Sequence, residues 1–317
     1  MTPYARSPPH ARLPRLHHPQ TLPEMIQRRP SVKHLARRFH LVLVGIALSW
    51  GALTWVPSVQ AIPTVNLGTA AGFAILAGSQ ITDAGGSTTV TNGDVGLYPA
   101  TGAAIGLLPN QVVNGTIYRA ETSGALLNTA QGDLTTAYND AANRPVTMAL
   151  GDVDNQLGGR TLFPGVYSFG HAATANLIGT LTLDANGDLN PVWIFQASSD
   201  LVTAAGGPGT PGSSVAFLNG ASACNVFWQI GSSATIGTYS AFAGHIMADQ
   251  SITLQAYATL EGSALARIAA VTLDHNQIDL DACEVGPGGP TTVPDAGSTL
   301  AFLGAGLSAL LLIRRRT

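Results

Sequence analysis

The stretch "SITLQAYATLEGSALARIAAVTL", residues 251–273, decides how the chain folds. Ile252 and Leu254 flank Thr253, and Val271 and Leu273 flank Thr272. Apolar residues that alternate with small polar ones in this way mark a strand with one buried face. The alternating runs are only a few residues long, and they recur outward from here in both directions. Fragments such as "TTVTNGDVG", "GVYSF", "GTLTLDANGD", "VWIFQA", "SVAFLNGA", "VFWQIG", "ATIGT" and "HIMA" are divided by Gly, Asn and Asp. Asn92-Gly93, Asn114-Gly115 and Asn186-Gly187 are tight-turn signals. Many short strands with small outer residues predict stacked coils rather than a sandwich, because a solenoid buries only a narrow column of Val, Ile and Leu. No repeat is regular enough to fix a period.

One segment departs from this pattern. Residues 119–142, "RAETSGALLNTAQGDLTTAYNDAA", are rich in Ala and contain no Pro. Leu126, Leu127, Ala130, Leu134, Ala137, Tyr138 and Ala141 recur at three- and four-residue spacing, the period of an amphipathic helix. Arg144-Pro145 ends it. A single long helix among strands is expected to lie along the solenoid and cover one apolar flank.

Composition sets the limits. Of 317 residues, 45% are hydrophobic and 10% charged, with 36 Gly, so a core is available and disorder is not expected. Between residues 62 and 293 stand four Arg, no Lys and 16 acids, a formal net charge of −12. Such a body does not seek nucleic acid or anionic lipid. The basic residues crowd the two ends, which points to targeting. Residues 33–61 have a basic start, an apolar run from Leu41 to about Val56 and a small-x-small ending at Val59-Gln60-Ala61. They read as a secretory signal cleaved after Ala61, with a membrane anchor as the alternative. Residues 1–32 precede it either as a long leader or because Met25 is the true start.

The other end reads "GPGGPTTVPDAGSTLAFLGAGLSALLLIRRRT". A Gly/Pro linker leads to Val293-Pro294-Asp295, then an apolar run over 300–313 and Arg314, Arg315 and Arg316. The run is short for a bilayer span, which takes about 17–25 residues, although the basic cluster fits a cytoplasmic stop. This tail resembles the bacterial C-terminal sorting signals read by exosortase-type enzymes, in a VPD form. The resemblance implies export across the inner membrane of a bacterium, transient anchoring through 300–313 and cleavage near the motif; a plain C-terminal anchor is the alternative. Signal-processing and sorting enzymes are therefore the expected protein partners, and the destination is secreted or at the cell surface. The chain divides into an N-terminal extension with signal peptide (1–61), a solenoid domain (62–285), and a linker with sorting tail (286–317). Cys224 and Cys283 both lie in the exported part, where an oxidising compartment permits a disulfide between them; two free thiols are the alternative.

Catalytic signals are missing from the pattern. There is no phosphate-binding Gly-Lys-Ser/Thr loop, no His-Glu-x-x-His and no nucleophile elbow. His171, His245 and His275 are widely separated and read as surface residues. Asp152-x-Asp154 and Asp279-x-Asp281 read as solvated loop acids, with weak calcium binding as the alternative. No catalytic residue, metal ligand or cofactor is expected, and the chain does not read as an enzyme.

Seven phrases place the body. They are "LGTAAGFAILAGSQIT" (67–82), "TNGDVGLYPATG" (91–102), "LTTAYNDAANRP" (134–145), "LGGRTLFPGVYSF" (157–169), "GTLTLDANGDLNPVWIFQASSDLVTA" (179–204), "NGASACNVFWQIGSSATIGT" (219–238) and "GSALARIAAVTLDHNQI" (262–278). In this order they resemble the bacterial and fungal ice-binding protein family, formerly a domain of unknown function. The resemblance implies a mainly β fold, an irregular three-sided solenoid with one long helix alongside, and binding of ice through a flat face.

Physical chemistry makes threonine a reasonable residue for that task. Stacked strands about 4.7–4.9 Å apart, with same-side residues about 6.6–7 Å apart along each strand, form a grid with spacings near those of ice. Each hydroxyl holds a water, and the β-branch keeps the side chain stiff. Alternation points Thr89, Thr91, Thr180, Thr182, Thr235, Thr253, Thr259 and Thr272 outward. Which of them share a face is left open by the sequence. Tyr257, Gln255, Asp249, His245 and Glu261 stand where they would interrupt a flat face, and Thr136-Ala137-Tyr138-Asn139, although it has a familiar Thr-x-x-Asn form, falls in the helix. The competing expectation is a structural or adhesive envelope module on the same fold without affinity for ice.

Overall fold

The structure, a computed structural model, describes residues 62–150, 155–170 and 173–280. The signal segment, the sorting tail, Cys283, Asp152, Asp154, His171 and Asp281 lie outside the described residues, and so does the expected Cys224–Cys283 bond.

Each coil has three straight sides. After Val226–Ile230 the chain turns into Ala234–Ile236, then into Ala241–Ala248, Ile252–Leu254 and Thr259–Ala266. The two eight-residue strands each serve two sides. They bend at Gly244 and Gly262, whose φ values of 105° and 134° suit glycine, while hydrogen bonding continues across the corner. A Cβ on Gly262 would stand 2.3 Å from the Gly244 carbonyl oxygen, so this corner is closed to other residues. The alternation of "HIMA" locates the second half of one such strand but hides its continuity with the side before it.

All strand pairs among the described residues are parallel. A 15-stranded sheet wraps two sides of the solenoid, and a six-stranded sheet forms the third. The six-stranded sheet runs Ala175–Leu177, Leu201–Thr203, Ala234–Ile236, Ile252–Leu254, Val271–Leu273 and Ile81–Asp83. Its last strand comes from the beginning of the body and stacks on the last coil, so chain order and stacking order differ. Coil lengths differ as well, which is why the sequence shows no fixed period.

The interior is a column of aliphatic and aromatic layers. Tyr167, Phe195, Trp228 and Phe242 stack along the axis, with ring centroids 5.5, 4.1 and 4.9 Å apart in turn. Trp193 and Trp228 donate their indole N–H groups to the carbonyls of Leu162 and Ala243, so neither buried ring leaves a donor unpaired.

The helix spans Ala120–Asn143, with a non-helical break at Ser123. It buries Leu127, Ala130, Leu134, Ala137 and Ala141 against Phe73, Leu76, Val166, Ile194, Phe227, Met247 and Leu265. Leu127 and Leu134 each contribute about 1.5–3 kcal/mol through burial. Leu126, expected on the same stripe, is exposed, because it lies about 100° around the helix from Leu127, off the line of Leu127, Ala130, Leu134, Ala137 and Ala141. Arg144 takes an extended conformation before Pro145 and ends the helix. The Gln196 amide then donates to the carbonyl of Ala141, which also accepts from the Arg144 amide, and to the carbonyl of Arg144, just past the helix end. Arg267 lies over the Tyr138 ring and pairs with Asp249, fastening helix to solenoid. Among the described residues no helix is long and apolar enough to cross a membrane.

Candidate functional site

Parallel pairing in the six-stranded sheet puts the central residue of each strand in register with the next. Asn176 pairs with Val202, Val202 with Thr235, Thr235 with Thr253, Thr253 with Thr272, and Thr272 with Thr82. Four threonines therefore stand in one line on neighbouring strands, about 4.8 Å apart. The flanking residues explain why they point outward. Ala234, Ile236, Ile252, Leu254, Val271, Leu273 and Ile81 are all buried in the solenoid interior, and period two turns the residue between them out. The four side chains are half-buried by one another, which limits their rotamers further. None of the four hydroxyls has a protein hydrogen-bond partner among the described residues, so all four are left to water. The line carries no charge. Its other end is apolar or neutral, with Val202 40% exposed and Asn176 beyond it.

Thr82 was not expected. In "ITD" an acid occupies the position where the other strands place a second aliphatic residue, so alternation alone does not select it. Asp83 instead turns to Thr88 and Gln111, whose hydrogen bonds outweigh the desolvation of its carboxyl and hold it below the usual carboxylate range.

The remaining candidates lie on a different side. Thr180, Thr259 and Thr89 share one line with Ser214, Ala241 and Gln277. Thr182 pairs with Thr161 and Ala216, and Thr91 pairs with Asp279, itself opposite Glu261. This side carries two acids in adjacent strands. Some of its hydroxyls are spent within the protein: Thr180 bonds Ser214 at 2.8 Å, and Thr91 donates to the Ile278 carbonyl at 3.2 Å. Thus Thr235, Thr253 and Thr272 are brought together, and Thr89, Thr91, Thr180, Thr182 and Thr259 are not part of their row.

The residues expected to interrupt the flat face are elsewhere. Tyr257 sits at the corner between the two threonine-bearing sides with a left-handed φ of 60°, in a stack between Tyr239 and His275, each ring 4.9 Å away. Glu261 lies on the acidic side, and Asp249 pairs with Arg267 at another corner. Gln255 is exposed beside the corner and accepts from the Thr238 amide. His245, read from sequence as a surface residue, is buried. Its Nδ1 lies 2.8 Å from Ser263 Oγ, and its ring stacks on Phe227. Burial pushes its pKa down to about 4, against a smaller opposing effect of a hydrogen bond with the Cys224 backbone. The helical Thr136-Ala137-Tyr138-Asn139 is incidental, since Thr136 bonds back to the Gly132 carbonyl and Ala137 is buried.

Corner geometry depends on buried polar groups that no sequence pattern announces. Asn276 donates to the carbonyls of Gln255 and Ala258 and accepts from the Asp274 amide. Ser240 and Thr203 bond each other, and Thr203 also accepts from the Gly237 amide. These bonds satisfy backbone that would otherwise be unpaired where the chain leaves the flat side.

Comparison with known proteins gives a concordant result. A family model described as Ice-binding-like matches residues 75–279, and a VPDSG-CTERM motif model matches residues 292–317. An ice-binding protein of Nostoc sp. (strain HG1) is 41% identical over 281 residues, 88% of this chain and 96% of that relative. One from Flavobacterium frigoris (strain PS1) is 36% identical over 231 residues, 70% of this chain and 78% of the relative. Among solved structures, an ice-binding protein from an Antarctic biological consortium superposes with a TM-score of 0.60 at 38% identity, covering 69% of this chain and 92% of that one.

Proposed function

This chain belongs to the ice-binding-like family, and from that membership we propose that it adsorbs to ice through the side formed by the six-stranded sheet. The observation that carries the assignment is the register Thr235–Thr253–Thr272–Thr82. The row is straight, uncharged and stiff, and its hydroxyls are free to hold water. Strand stacking sets the spacing along the row and the packed interior fixes the direction of each side chain, so little entropy remains to be lost on contact. Individual contacts are weak, and the array sums them. The acidic side lacks these properties: Glu261 and Asp279 impose their own hydration.

The relatives are ice-binding proteins rather than enzymes. The VPDSG-CTERM motif marks the chain as exported, to the cell surface or beyond. In this reading residues 1–61 direct export and are removed, residues 62–285 bind ice, and residues 286–317 engage the sorting machinery. Adsorption would restrain ice growth and recrystallisation around the cell.

The test is ice recrystallisation inhibition by the purified chain at micromolar concentration, beside Thr253→Tyr and a control protein of equal charge. Inhibition by the wild type and its loss in the variant support the assignment. Grain growth equal to the control for both proteins would leave a structural envelope module as the better reading.

A further inference from the structure

One row of the helix-covered side changes character along its length. Leu76, Leu265 and Met247 stand in register on neighbouring strands and pack under the helix. The next three positions of the same row are Gln229, Gln196 and Ser168. Each follows an interior ring, Trp228, Phe195 and Tyr167 in turn, so alternation points all three outward, toward the helix. Aliphatic side chains here would continue the packing. Instead the helix brings Tyr138 and Ala142 to this end of the row, and a cavity of about 710 Å³ lies there, beside the corner that leads to the threonine side. Small-molecule sites span about 300–1,000 Å³. Ala142 and Ala149 give the cavity apolar walls, and none of the described residues that line it is charged. Gln229 is only 7% exposed, and its side chain hydrogen-bonds the Tyr138 hydroxyl, which donates to the Ile230 carbonyl. A primary amide offers two N–H donors and an oxygen that accepts twice, so that bond uses a small part of what Gln229 can make. Gln196 gives its N–H groups to the helix end, and its side-chain oxygen is left to accept.

We propose that this cavity binds a small neutral polyhydroxylated solute, a polyol or a monosaccharide. The lining selects that class. It presents donors and acceptors of hydrogen bonds and no opposite charge, so an acid or an amine would lose its hydration without compensation. Gln229 and Gln196 stand about 4.8 Å apart on adjacent strands, with Ser168 one strand further on. Amide, amide and hydroxyl can therefore meet successive hydroxyls of one ligand, each of which donates and accepts. The alanine walls suit the C–H faces of such a molecule. The cavity does not include the threonine row, and the proposal does not depend on the ice-binding assignment.

The experiment titrates the purified full chain with glucose, glycerol, dextran and, as a charged control, sodium acetate, and reads binding by calorimetry. Two variants accompany it. Gln229→Leu continues the aliphatic row of Met247 and Leu265, and Ala142→Phe fills the cavity from an exposed helix position that touches no core group. Glucose or glycerol should saturate the wild type with a Kd of about 1 mM, the scale of a ligand this small. Both variants should bind about tenfold more weakly or worse, the effect of losing one hydrogen bond at a buried group. Dextran bound without glucose, and lost in the same variants, would assign the site to sugar units of a polymer. Recrystallisation inhibition should be the same in all three proteins, which keeps this result separate from the ice-binding assignment. Acetate bound as tightly as glucose, no saturation by glucose, glycerol or dextran, or binding that persists at full strength in either variant would overturn the proposal.

Discussion

Thr253 and Thr272 occupy equivalent positions on adjacent parallel strands, with Ile252 opposite Val271 beside them and pointing into the solenoid. The two hydroxyls leave the sheet in the same direction, one strand spacing apart. The packed aliphatic neighbours hold the strands that carry them, and that support of surface by core underlies the predictions below.

Thr253→Tyr places a bulky ring in the middle of the row. Recrystallisation inhibition should be abolished, while unfolding free energy stays within about 0.5 kcal/mol of wild type, as for surface substitutions that touch no core group. Thr180→Tyr, on the acidic side, should leave inhibition intact. Equal loss in both variants would show that the six-stranded side is not the binding surface.

Leu254 is fully buried next to Thr253 and opposite Ile236. Leu254→Ala should destabilise by about 2–5 kcal/mol through lost burial and a residual cavity. Urea denaturation measures this directly. Inhibition should weaken at temperatures where the variant is still folded, because the row above the cavity is no longer held flat. A variant of wild-type stability would contradict the packing described.

The expected solenoid, the helix and its C-terminal stop were readable because each rests on local signals. Ile252-Thr253-Leu254 and Val271-Thr272-Leu273 alternate within three residues, and Arg144-Pro145 stops a helix by backbone sterics alone. Outwardness of Thr180 and Thr235 follows from the same rule. Whether those two share a side does not. It depends on how many residues each corner consumes, and those corners are closed by Asn276, Ser240 and Thr203 through contacts between coils. Thr82 was hidden for the same reason: its place in the row comes from pairing with Thr272, remote in sequence. His245 was misread because an isolated histidine carries no sign of burial, which here comes from Phe227 and Ser263 on neighbouring coils.

At the corner, Tyr257 combines a left-handed backbone with two ring contacts. Tyr257→Val removes the stack and forces a β-branched residue into that conformation, whereas Tyr257→Gly removes the stack but relaxes the backbone. The Val variant should be less stable than the Gly variant by about 1–2 kcal/mol. Thermal unfolding of the pair decides it, and identical midpoints would mean that the backbone strain at this corner is negligible.

His245 sets an acid limit. Its pKa falls from an ordinary 6.5 to about 4 on folding, so below pH 6.5 the unfolded chain binds a proton that the folded chain resists. Stability from this residue is complete above pH 6.5 and declines as pH falls toward 4, by about 3 kcal/mol in total. Urea midpoints measured from pH 7.5 to 4 should fall over that window, and His245→Gln should fall less steeply. Parallel profiles for the two proteins would show that the imidazole titrates normally.

The pairing of Thr82 with Thr272 has a consequence for the order of assembly. The strand Ile81–Asp83 is synthesised early, yet the surface it joins is completed only when Val271–Leu273 emerges nearly at the end of the body. Until then Thr82 has no neighbour on which to align, and a chain interrupted in its last coil leaves a gap between Thr253 and Thr82. The threonine row is thus completed late, when the first and last coils close on each other. Long-range closure of this kind is slow relative to local strand stacking, and it delays completion of the row until nearly the whole body has been made.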